Sequence, residues 1–430
     1  MFLLYDLIMS LGAVVLFPYA LIKGARYGKL WEGVGERLAL YPAARLKSFQ
    51  GRPLLWVHAV SVGEVRASQP LLKELRRDYP DAGLVLSCMT YTGKEMGKSL
   101  EEVDLCVFLP FDISTVVRRA LKQFQPQAVL IIETEIWPNF VRLVAEQETP
   151  LLLVNGRISD RSFPRYLMVK KLLSPLLQCF ARFCMQSKMD ALKITRLGAP
   201  SPKVDVTGNM KFDLSTPDFR DEDVEQFCHS FALPKKRMVW VAGSTRQGEE
   251  KFIVDAFSAL VAQGYELNLV LVPRYPERAR SVAELVLTAG LEPVLRSGVT
   301  AASETLSTHQ VLIGDTLGEM LKFYACADLV FVGGSLVPVG GHNVLEACML
   351  SKPVLFGPYT QNNKQIVSIL LEADGGVRVT EQNLAVEVEK LLNNQGRREQ
   401  LGINGAGVYA EHAGATRRTC EALHTILSAP

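Results

Sequence analysis

Short apolar runs alternate with helix-like segments along most of this chain, and this alternation constrains the fold more than any other feature. Runs such as LLWVH, AVLIIE and PLLLVN in the first half, and RMVWVAGS, NLVLVPR and DLVFVGGS in the second, are followed by segments with helical spacing. Such runs are typical of parallel strands that helices cover on both faces. With 430 residues, the chain is predicted to form two doubly wound α/β domains of similar size.

The alternation weakens over residues 213–223, where a proline and an acidic cluster predict a linker between the domains. We therefore predict an N-terminal apolar helix with a basic segment over 1–40, a first α/β domain over 41–215, and a second over 216–430. The second domain is predicted to include the helical segments that follow about Thr380. Ligands of doubly wound sheets bind beyond the carboxyl ends of the strands, so polar residues after strands are the candidate site.

Charge and metal-ligating residues narrow the possible functions. The net charge of +2 excludes nucleic-acid binding that depends on bulk positive charge. The eight cysteines contain no CxxC pair and the six histidines no HxxxH pair, so we expect no Cys/His metal site. No cofactor is expected either. The acidic run Asp221 to Asp223 lies in the predicted linker, where solvation is a better explanation than metal binding. Scattered cysteines indicate a reducing compartment.

The N-terminal residues 2–22 are nearly all apolar, broken by Asp6, Ser10 and Pro18. About 21 residues of helix span roughly 30 Å, the thickness of a bilayer core. Lys23 follows in a basic stretch, and positive charge after a span places the rest of the chain on the cytoplasmic side. Three alternatives remain open: an uncleaved spanning anchor, a helix in the membrane plane, and a helix packed on the protein.

In the first half, an acid occupies a turn where anions are often bound. Glu64 of HAVSVGEV lies between an apolar run and a helical segment, at a position where helix N–H groups favour phosphate. A carboxylate there would repel phosphate, so a role in chemistry competes with that of an ordinary first-turn acid that complements the helix dipole.

A second group of charged residues follows the later strands of the first half. Glu133 and Glu135 end the run LIIETE on the same side of an extended chain. Paired acids at the end of so apolar a strand are costly unless they contact water, cations or a ligand. Arg157 and Arg161 follow the next strand, and Lys211 lies near the end of the domain. The alternative to a ligand site is a set of interdomain salt bridges.

The second half also places polar residues after its strands. Ser244 and Arg246 follow VWVAG, and Pro273 and Arg274 end LVLVPR. These residues offer turn N–H groups and cations for an anion.

The segment FVGGSLVPVGGHNVLEA combines glycines with a helix start, which predicts a phosphate seat. Asn343 and Glu346 have the spacing of a capping box. The alternative is that Glu346 accepts hydrogen bonds from the hydroxyls of a ribose. His342 is either a packed, hydrogen-bonded imidazole or a ligand contact.

Seven of these motifs, in order along nearly the whole chain, resemble the 3-deoxy-D-manno-octulosonic acid (Kdo) transferases of lipopolysaccharide synthesis. They are HAVSVGEV, ETEIWPN, NGRISDRS, GNMKFD, GSTRQGEE, LVPRYPER and FVGGSLVPVGGHNVLEA. The resemblance implies a GT-B fold of two Rossmann-like domains. It also implies transfer of Kdo from CMP-Kdo to lipid A or its tetraacyl precursor, with inversion and without a metal, on the cytoplasmic face of the inner membrane.

The resemblance also assigns roles residue by residue. Glu64 matches the family's catalytic base, and Glu133 and Lys211 match positions thought to stabilise the transition state. Tyr275 departs from the pattern, because many members have His there. The implied CMP contacts are Pro273, Arg274, Leu317, Gly318, Glu319, Asn343, Val344, Leu345 and Glu346.

Two alternative functions stay open at this point. One is a glycosyltransferase or epimerase that uses a UDP-sugar, and the other is a membrane-tethered protein that binds a nucleotide or glycolipid without turnover. For a lipid acceptor, we expect the basic segment over residues 23–52 to attract phosphates and anionic head groups.

Overall fold

The computed structural model describes residues 5–7, 9–12, 33–41, 46, 49, 51–215, 217–300 and 303–428. The chain forms two compact units. Unit 1 comprises Met1–Ser215 together with His412–Pro430, and unit 2 comprises Thr216–Glu411. Each unit has its own parallel sheet, which agrees with the predicted pair of doubly wound α/β domains.

The sheet of unit 1 has seven parallel strands in the order β3-β2-β1-β4-β5-β6-β7. All residues of β1, β2, β4 and β5 are buried, as the uninterrupted apolar runs predicted. The strands are β1 (Leu54–His58), β2 (Gly83–Cys88), β3 (Leu105–Phe108), β4 (Ala128–Ile132), β5 (Leu151–Gly156), β6 (Arg182–Met185) and β7 (Val204–Val206).

Helices cover both faces of this sheet. On one face, Trp56 packs edge-on against Phe124 and Phe140, with ring centroids 5.0 and 5.2 Å away. The helices before the linker are α1 (Val34–Arg37), α2 (Val62–Asp78), α3 (Tyr91–Lys98), α4 (Ser114–Phe124), α5 (Pro138–Glu146), α6 (Phe163–Met168), α7 (Lys170–Gln178) and α8 (Lys188–Leu197).

The sheet of unit 2 also has seven parallel strands, in the order β10-β11-β9-β8-β12-β13-β14. Its central strands are fully buried or nearly so, and its core includes Trp240, Phe257 and Phe331. The strands are β8 (Met238–Thr245), β9 (Leu267–Pro273), β10 (Glu292–Leu295), β11 (Gln310–Ile313), β12 (Leu329–Val332), β13 (Val354–Phe356) and β14 (Val377–Arg378).

The helices of unit 2 begin inside the predicted linker of residues 213–223, because the acidic run Asp221 to Asp223 forms the first turn of a helix. They are α9 (Asp221–Ser230), α10 (Glu249–Ala262), α11 (Ala279–Thr288), α12 (Met320–Ala325), α13 (Leu345–Cys348), α14 (Lys364–Glu372), α15 (Leu384–Leu392) and α16 (Gln395–Glu411). The predicted helical character after Thr380 is confirmed.

The last helix, α17 (Ala415–Leu427), corrects the predicted domain limits. We expected residues 412–430 to belong to the second domain, but they belong to unit 1. Asp213 accepts hydrogen bonds from the N–H groups of Gly414 and Thr416, and Leu423 is buried in the core of unit 1 with Leu71. An acid at a helix start and an apolar helix face hold α17 against α2.

Part of the predicted N-terminal anchor lies in the described residues. Residues 5–7 and 9–12 are helical. The Tyr5 hydroxyl donates to Asp112 at 3.0 Å, and Asp6 accepts from Ser114 and from the Asn139 amide at 2.7 Å. Within the described part of the chain, no helix has the length and apolar character needed to cross a bilayer. Residues 13–32 lie outside the described residues.

Two arginines of the predicted basic segment are directed into unit 1. A guanidinium N–H of Arg37 donates to the Met89 carbonyl at 2.6 Å, and Arg52 donates to the Asp81 carbonyl at 2.9 Å. The other basic residues of 23–52 lie outside the described residues.

Candidate functional site

The order of strands in unit 1 reverses between β1 and β4, and ligands of doubly wound sheets bind at such a switch point. Glu64 lies in the first turn of α2, directly after β1. Glu133 follows the last residue of β4. The two carboxylates that the sequence singled out therefore flank the switch point.

The Glu64 carboxylate is held at the start of its helix. Its Oε2 accepts a hydrogen bond from the Val60 N–H at 2.6 Å, whereas Oε1 has only a long contact of 3.4 Å with the Ser61 hydroxyl. Burial, together with the charges of Glu133 and Glu135, raises the pKa of Glu64 to about 7 against the lowering effect of the Val60 hydrogen bond. Near neutral pH this group can accept a proton.

The backbone at the end of β4 is strained. Glu133 has a φ of +60°, in the left-handed region that non-glycine residues rarely adopt, and its N–H donates to the Val154 carbonyl at 2.9 Å. The Thr134 hydroxyl donates to the Arg157 carbonyl and joins this turn to the turn after β5. Burial raises the pKa of Glu135, and the neighbouring Glu133 adds to the effect.

Lys211 is placed by two asparagines. Its N–H donates to Asn209 Oδ1 at 3.0 Å, and the preceding Met210 N–H donates to Asn155 Oδ1 at 3.1 Å. Burial lowers the pKa of Lys211, Glu133 opposes that shift, and Arg157 adds to it. The structure thus brings Lys211 within electrostatic range of Glu133 and Arg157, whereas Arg161 is exposed on the following loop.

Asn155 is a site residue that the sequence analysis missed. It is buried with a φ of +54°, and its amide nitrogen has no hydrogen-bond partner among the described residues. It lies inside β5, two residues before Arg157 and within the quoted motif NGRISDRS.

In unit 2 the strand order reverses between β8 and β12, and the loops after these strands meet through Glu249. This buried carboxylate accepts four backbone hydrogen bonds of 2.6 to 2.8 Å, from the N–H groups of Arg246, Gly334, Ser335 and Leu336. Burial raises the pKa of Glu249 against the lowering effect of these donors.

Several N–H groups of the glycine-rich loop, which we predicted to bind phosphate, have partners within the chain. Glu249 occupies the N–H groups of residues 334–336, and the N–H groups of Gly341 and His342 donate to backbone carbonyls of the same loop. Gly333 allows its loop to pack closely against the end of β8, because a Cβ at this position would lie 2.6 Å from the Ser244 carbonyl oxygen.

Arg246 is fixed by two rings. Its Nε donates to His342 Nε2 at 3.2 Å, and its guanidinium carbon lies 4.8 Å from the centroid of the Tyr275 ring. Burial, together with the charges of Arg246 and Arg274, lowers the pKa of His342 to about 4, so the imidazole is neutral and accepts from Arg246. The structure thus shows the first of the two alternatives for His342, a packed and hydrogen-bonded imidazole.

The remaining predicted CMP contacts lie in loops of unit 2. Arg274 is exposed directly after Pro273, the last residue of β9. Leu317 exposes 81% of its surface beside Gly318, which has a φ of +83°. The Glu319 carboxylate, however, accepts hydrogen bonds from Arg296 at 3.1 Å and from Thr316.

The loop before α13 is held in place by Asn363, which lies in the turn that follows β13. The Asn363 amide donates to the carbonyls of Gly341 and His342 at 3.2 and 2.8 Å. Asn343 Oδ1 accepts from the Leu345 N–H at 3.3 Å, and Val344 and Glu346 lie on either side of Leu345 at the start of this short helix. Asn363 was not singled out from the sequence.

Comparison with known proteins identifies the family. Residues 32–214 match the family model described as 3-deoxy-D-manno-octulosonic-acid transferase (kdotransferase). The 3-deoxy-D-manno-octulosonic acid transferase of Haemophilus influenzae is 35% identical over 94% of this chain and 93% of its own length. This chain belongs to the Kdo transferase family. The Kdo transferase of Bordetella pertussis is 34% identical over 93% of this chain and 94% of its own length.

Solved structures confirm the fold class of this Kdo transferase family member. A glycosyltransferase from Rickettsia africae has a TM-score of 0.59 at 14% identity and covers 88% of this chain and all of its own chain. The chain thus has the two Rossmann-like α/β units of a GT-B glycosyltransferase. Among the described residues, no group of three or more His, Cys, Asp and Glu side chains is arranged to hold a metal ion.

Tyr275, where the family resemblance noted a departure, packs its ring against the Arg246 guanidinium. Replacing it with Ala is expected to weaken binding of the donor nucleotide about three- to tenfold, because Arg246 loses a cation–π contact. Titration calorimetry with CMP checks this. Tyr275→Phe is the matched control and retains wild-type affinity; equal weakening in both variants would assign the effect to the hydroxyl instead.

Proposed function

We propose that this chain transfers Kdo from CMP-Kdo to lipid A or its tetraacyl precursor in lipopolysaccharide synthesis. Membership of the Kdo transferase family supports the sugar that is moved. The observation that carries the chemistry is the Glu64 carboxylate, which is held at the switch point of unit 1 beside Glu133 and has a pKa raised to about 7.

In the proposed reaction, Glu64 acts as general base in a single inverting displacement. The acceptor hydroxyl oxygen forms a bond to the anomeric carbon of Kdo while the bond from that carbon to the CMP phosphate oxygen breaks. The proton of the hydroxyl passes to Glu64, and the electron pair leaves with CMP. A base with a pKa near the working pH is suited to this transfer, and Oε1 is the oxygen less engaged by the protein.

Glu133 and Lys211 are proposed to stabilise the transition state. Burial favours the neutral form of Lys211, and the Glu133 carboxylate favours the charged form, so the pair can keep a cation in a poorly hydrated site. The Lys211 ammonium would stabilise the anionic parts of the reacting sugar, and the Glu133 carboxylate its oxocarbenium-like part, more strongly than either charge could in water. Arg157 and Arg161 supply further positive charge for the phosphates of the acceptor.

The donor nucleotide is proposed to bind in unit 2. Arg274 and Arg246 offer cations to the CMP phosphate, whose negative charge grows as the bond to Kdo breaks. The exposed Leu317 with Gly318, and the segment Asn343 to Glu346, are proposed to contact cytidine and ribose. No metal is needed in this proposal because arginines carry out the charge stabilisation.

A lipid acceptor requires that the enzyme reach a membrane. We propose that the chain acts at the cytoplasmic face of the inner membrane, on the support of the apolar residues 2–22 and the basic residues that follow them.

A product assay tests the proposed function. The purified chain in detergent is incubated with tetraacyl lipid A precursor and with CMP-Kdo generated in the reaction, with and without chelator, and products are weighed by mass spectrometry. We expect Kdo addition at the same rate in both, and the mass gives the number of Kdo residues added. Product with UDP-sugars but none with CMP-Kdo would overturn the donor, and nucleotide binding without any product would favour the tethered binding protein.

A further inference from the structure

The segment from Arg161 to Met189 of unit 1 contains no Asp or Glu, although acids and bases are nearly balanced in the whole chain. It includes α6 and α7 and reaches the first residues of α8. Its exposed basic residues are Arg161, Arg165, Lys170, Lys171 and Lys188. For Arg165, Lys170 and Lys171, no hydrogen bond or ion pair is found with any residue that the structure describes. The segment is thus a local positive surface.

Large apolar side chains are exposed on the same surface. Met168 exposes 85% of its surface, and Leu167, Val169 and Leu172 are exposed as well. Met189 and Leu192 are exposed on α8, which packs beside α6, since the Arg196 guanidinium carbon lies 5.7 Å from the Phe163 ring centroid. Exposed apolar residues in a group, rimmed by charge, mark an interaction surface.

These exposed residues are not needed to anchor their helices. Phe163 and Tyr166 of α6 pack against the core of unit 1, and Leu173, Leu176 and Leu177 of α7 are buried in it. The helices are therefore amphipathic and held in place by their inner faces, whereas the outer face carries Met168 and lysines. Protein surfaces that lie on anionic lipid typically combine apolar residues with flanking lysines and arginines and lack acids.

We propose that this outer face of α6 and α7 is a membrane-contact surface that holds unit 1 against an anionic bilayer. This proposal rests on the proposed function in one respect, namely that the acceptor is a lipid. The surface follows β5 at the carboxyl edge of the sheet, where Glu133 and Arg157 also lie. An acceptor embedded in the same bilayer would then meet the base without leaving the membrane.

The first experiment places a probe on the surface of the full chain. Met168→Trp and the control Ile403→Trp, an exposed position on α16 of unit 2, are mixed with vesicles that carry brominated acyl chains, with and without phosphatidylglycerol. We expect the added fluorescence at 168 to fall about twofold with phosphatidylglycerol and that at 403 to stay unchanged. No quenching at 168, or protection of 168 by a second copy of the chain, would overturn the proposal.

The second experiment separates this surface from the proposed function. The double variant Lys170→Glu/Lys171→Glu is expected to transfer Kdo at the wild-type rate to detergent-dispersed acceptor, but about tenfold more slowly to acceptor in anionic vesicles. Equal rates in vesicles would overturn the surface. If the wild-type chain transfers no Kdo even in detergent, the proposed function fails, and quenching at position 168 still decides the membrane contact.

Discussion

Replacing Glu64 with Gln is expected to lower kcat by about a hundredfold to ten-thousandfold, because the variant lacks the base that accepts the proton of the attacking hydroxyl. Gln keeps the size of the side chain and an oxygen for the Val60 N–H. Binding of CMP to unit 2 is expected to be unchanged. Single-turnover Kdo transfer followed by mass spectrometry measures the first effect, and calorimetry measures the second.

The pH dependence of the wild type gives an independent check on the same residue. Only the deprotonated carboxylate can act as a base, so the rate is expected to rise with pH and to reach half its maximum near the Glu64 pKa of about 7. Because the Glu135 charge raises that pKa, Glu135→Gln is expected to move the midpoint to lower pH. A midpoint that stays at the same pH in Glu135→Gln would assign the titration to another group.

Loss of activity in Glu64→Gln must also be separated from unfolding. The pKa of Glu64 is raised on folding, so the native state binds this proton more tightly than the unfolded chain, and the stability it contributes is lost as pH rises from about 4.5 through about 7. The Gln variant is therefore expected to be more stable than wild type at pH 8, on the order of 1 kcal/mol after allowance for solvent screening. An inactive variant that is less stable than wild type at pH 8 would not support the assignment.

The sequence predicted the fold, and the position of Glu64 and Glu133 relative to the sheet, because both depend on local signals. Apolar runs such as AVLII of β4, too short for a helix and alternating with helical segments, are typical of strands buried on both faces. Glu64 and Glu133 stand directly after strands, and the switch point of a doubly wound sheet lies at that edge. Position relative to a strand was therefore enough to bring these two residues together.

Residues that act through distant partners could not be found in this way. Asn155 places Lys211 from 55 positions away in the chain, and Glu249 binds the N–H groups of a loop 85 positions later. Asp213 fixes the start of α17, which returns to unit 1 across the whole of unit 2. Each contact depends on the completed sheets, and no periodicity or spacing in the sequence signals it.

The same limit applies to the glycine-rich loop of unit 2. Glycines before a helix predict free N–H groups for an anion, but three N–H groups of this loop already bind one. The anion is a carboxylate from the chain itself, Glu249. In the sequence, GSTRQGEE offers two adjacent acids, and only the structure distinguishes Glu249 from Glu250, which pairs with Arg278 at 2.7 Å.

Replacing Glu249 with Ala is expected to cause the largest loss of stability of any single substitution considered, about 3–5 kcal/mol. The change leaves four N–H groups without their acceptor, and three of them belong to residues that are buried or nearly so. Thermal unfolding followed by circular dichroism is expected to show a transition lowered by about 10 °C. Asp255→Ala is the matched control, because that acid lies exposed on the same helix in a pair with Lys251 and is expected to cost less than about 0.5 kcal/mol.

Small carboxylates distinguish the loss of these hydrogen bonds from a general packing defect. Formate is small enough to enter the space that the Glu249 carboxylate leaves, and its two oxygens can accept from the same N–H groups. Formate in the buffer is therefore expected to raise the melting temperature of Glu249→Ala and not that of Asp255→Ala. CMP binding should recover in parallel, because the Arg246 N–H is one of the four donors. A variant that melts like the control, or that formate fails to stabilise, would mean that water satisfies these donors and that Glu249 does not organise the nucleotide loops.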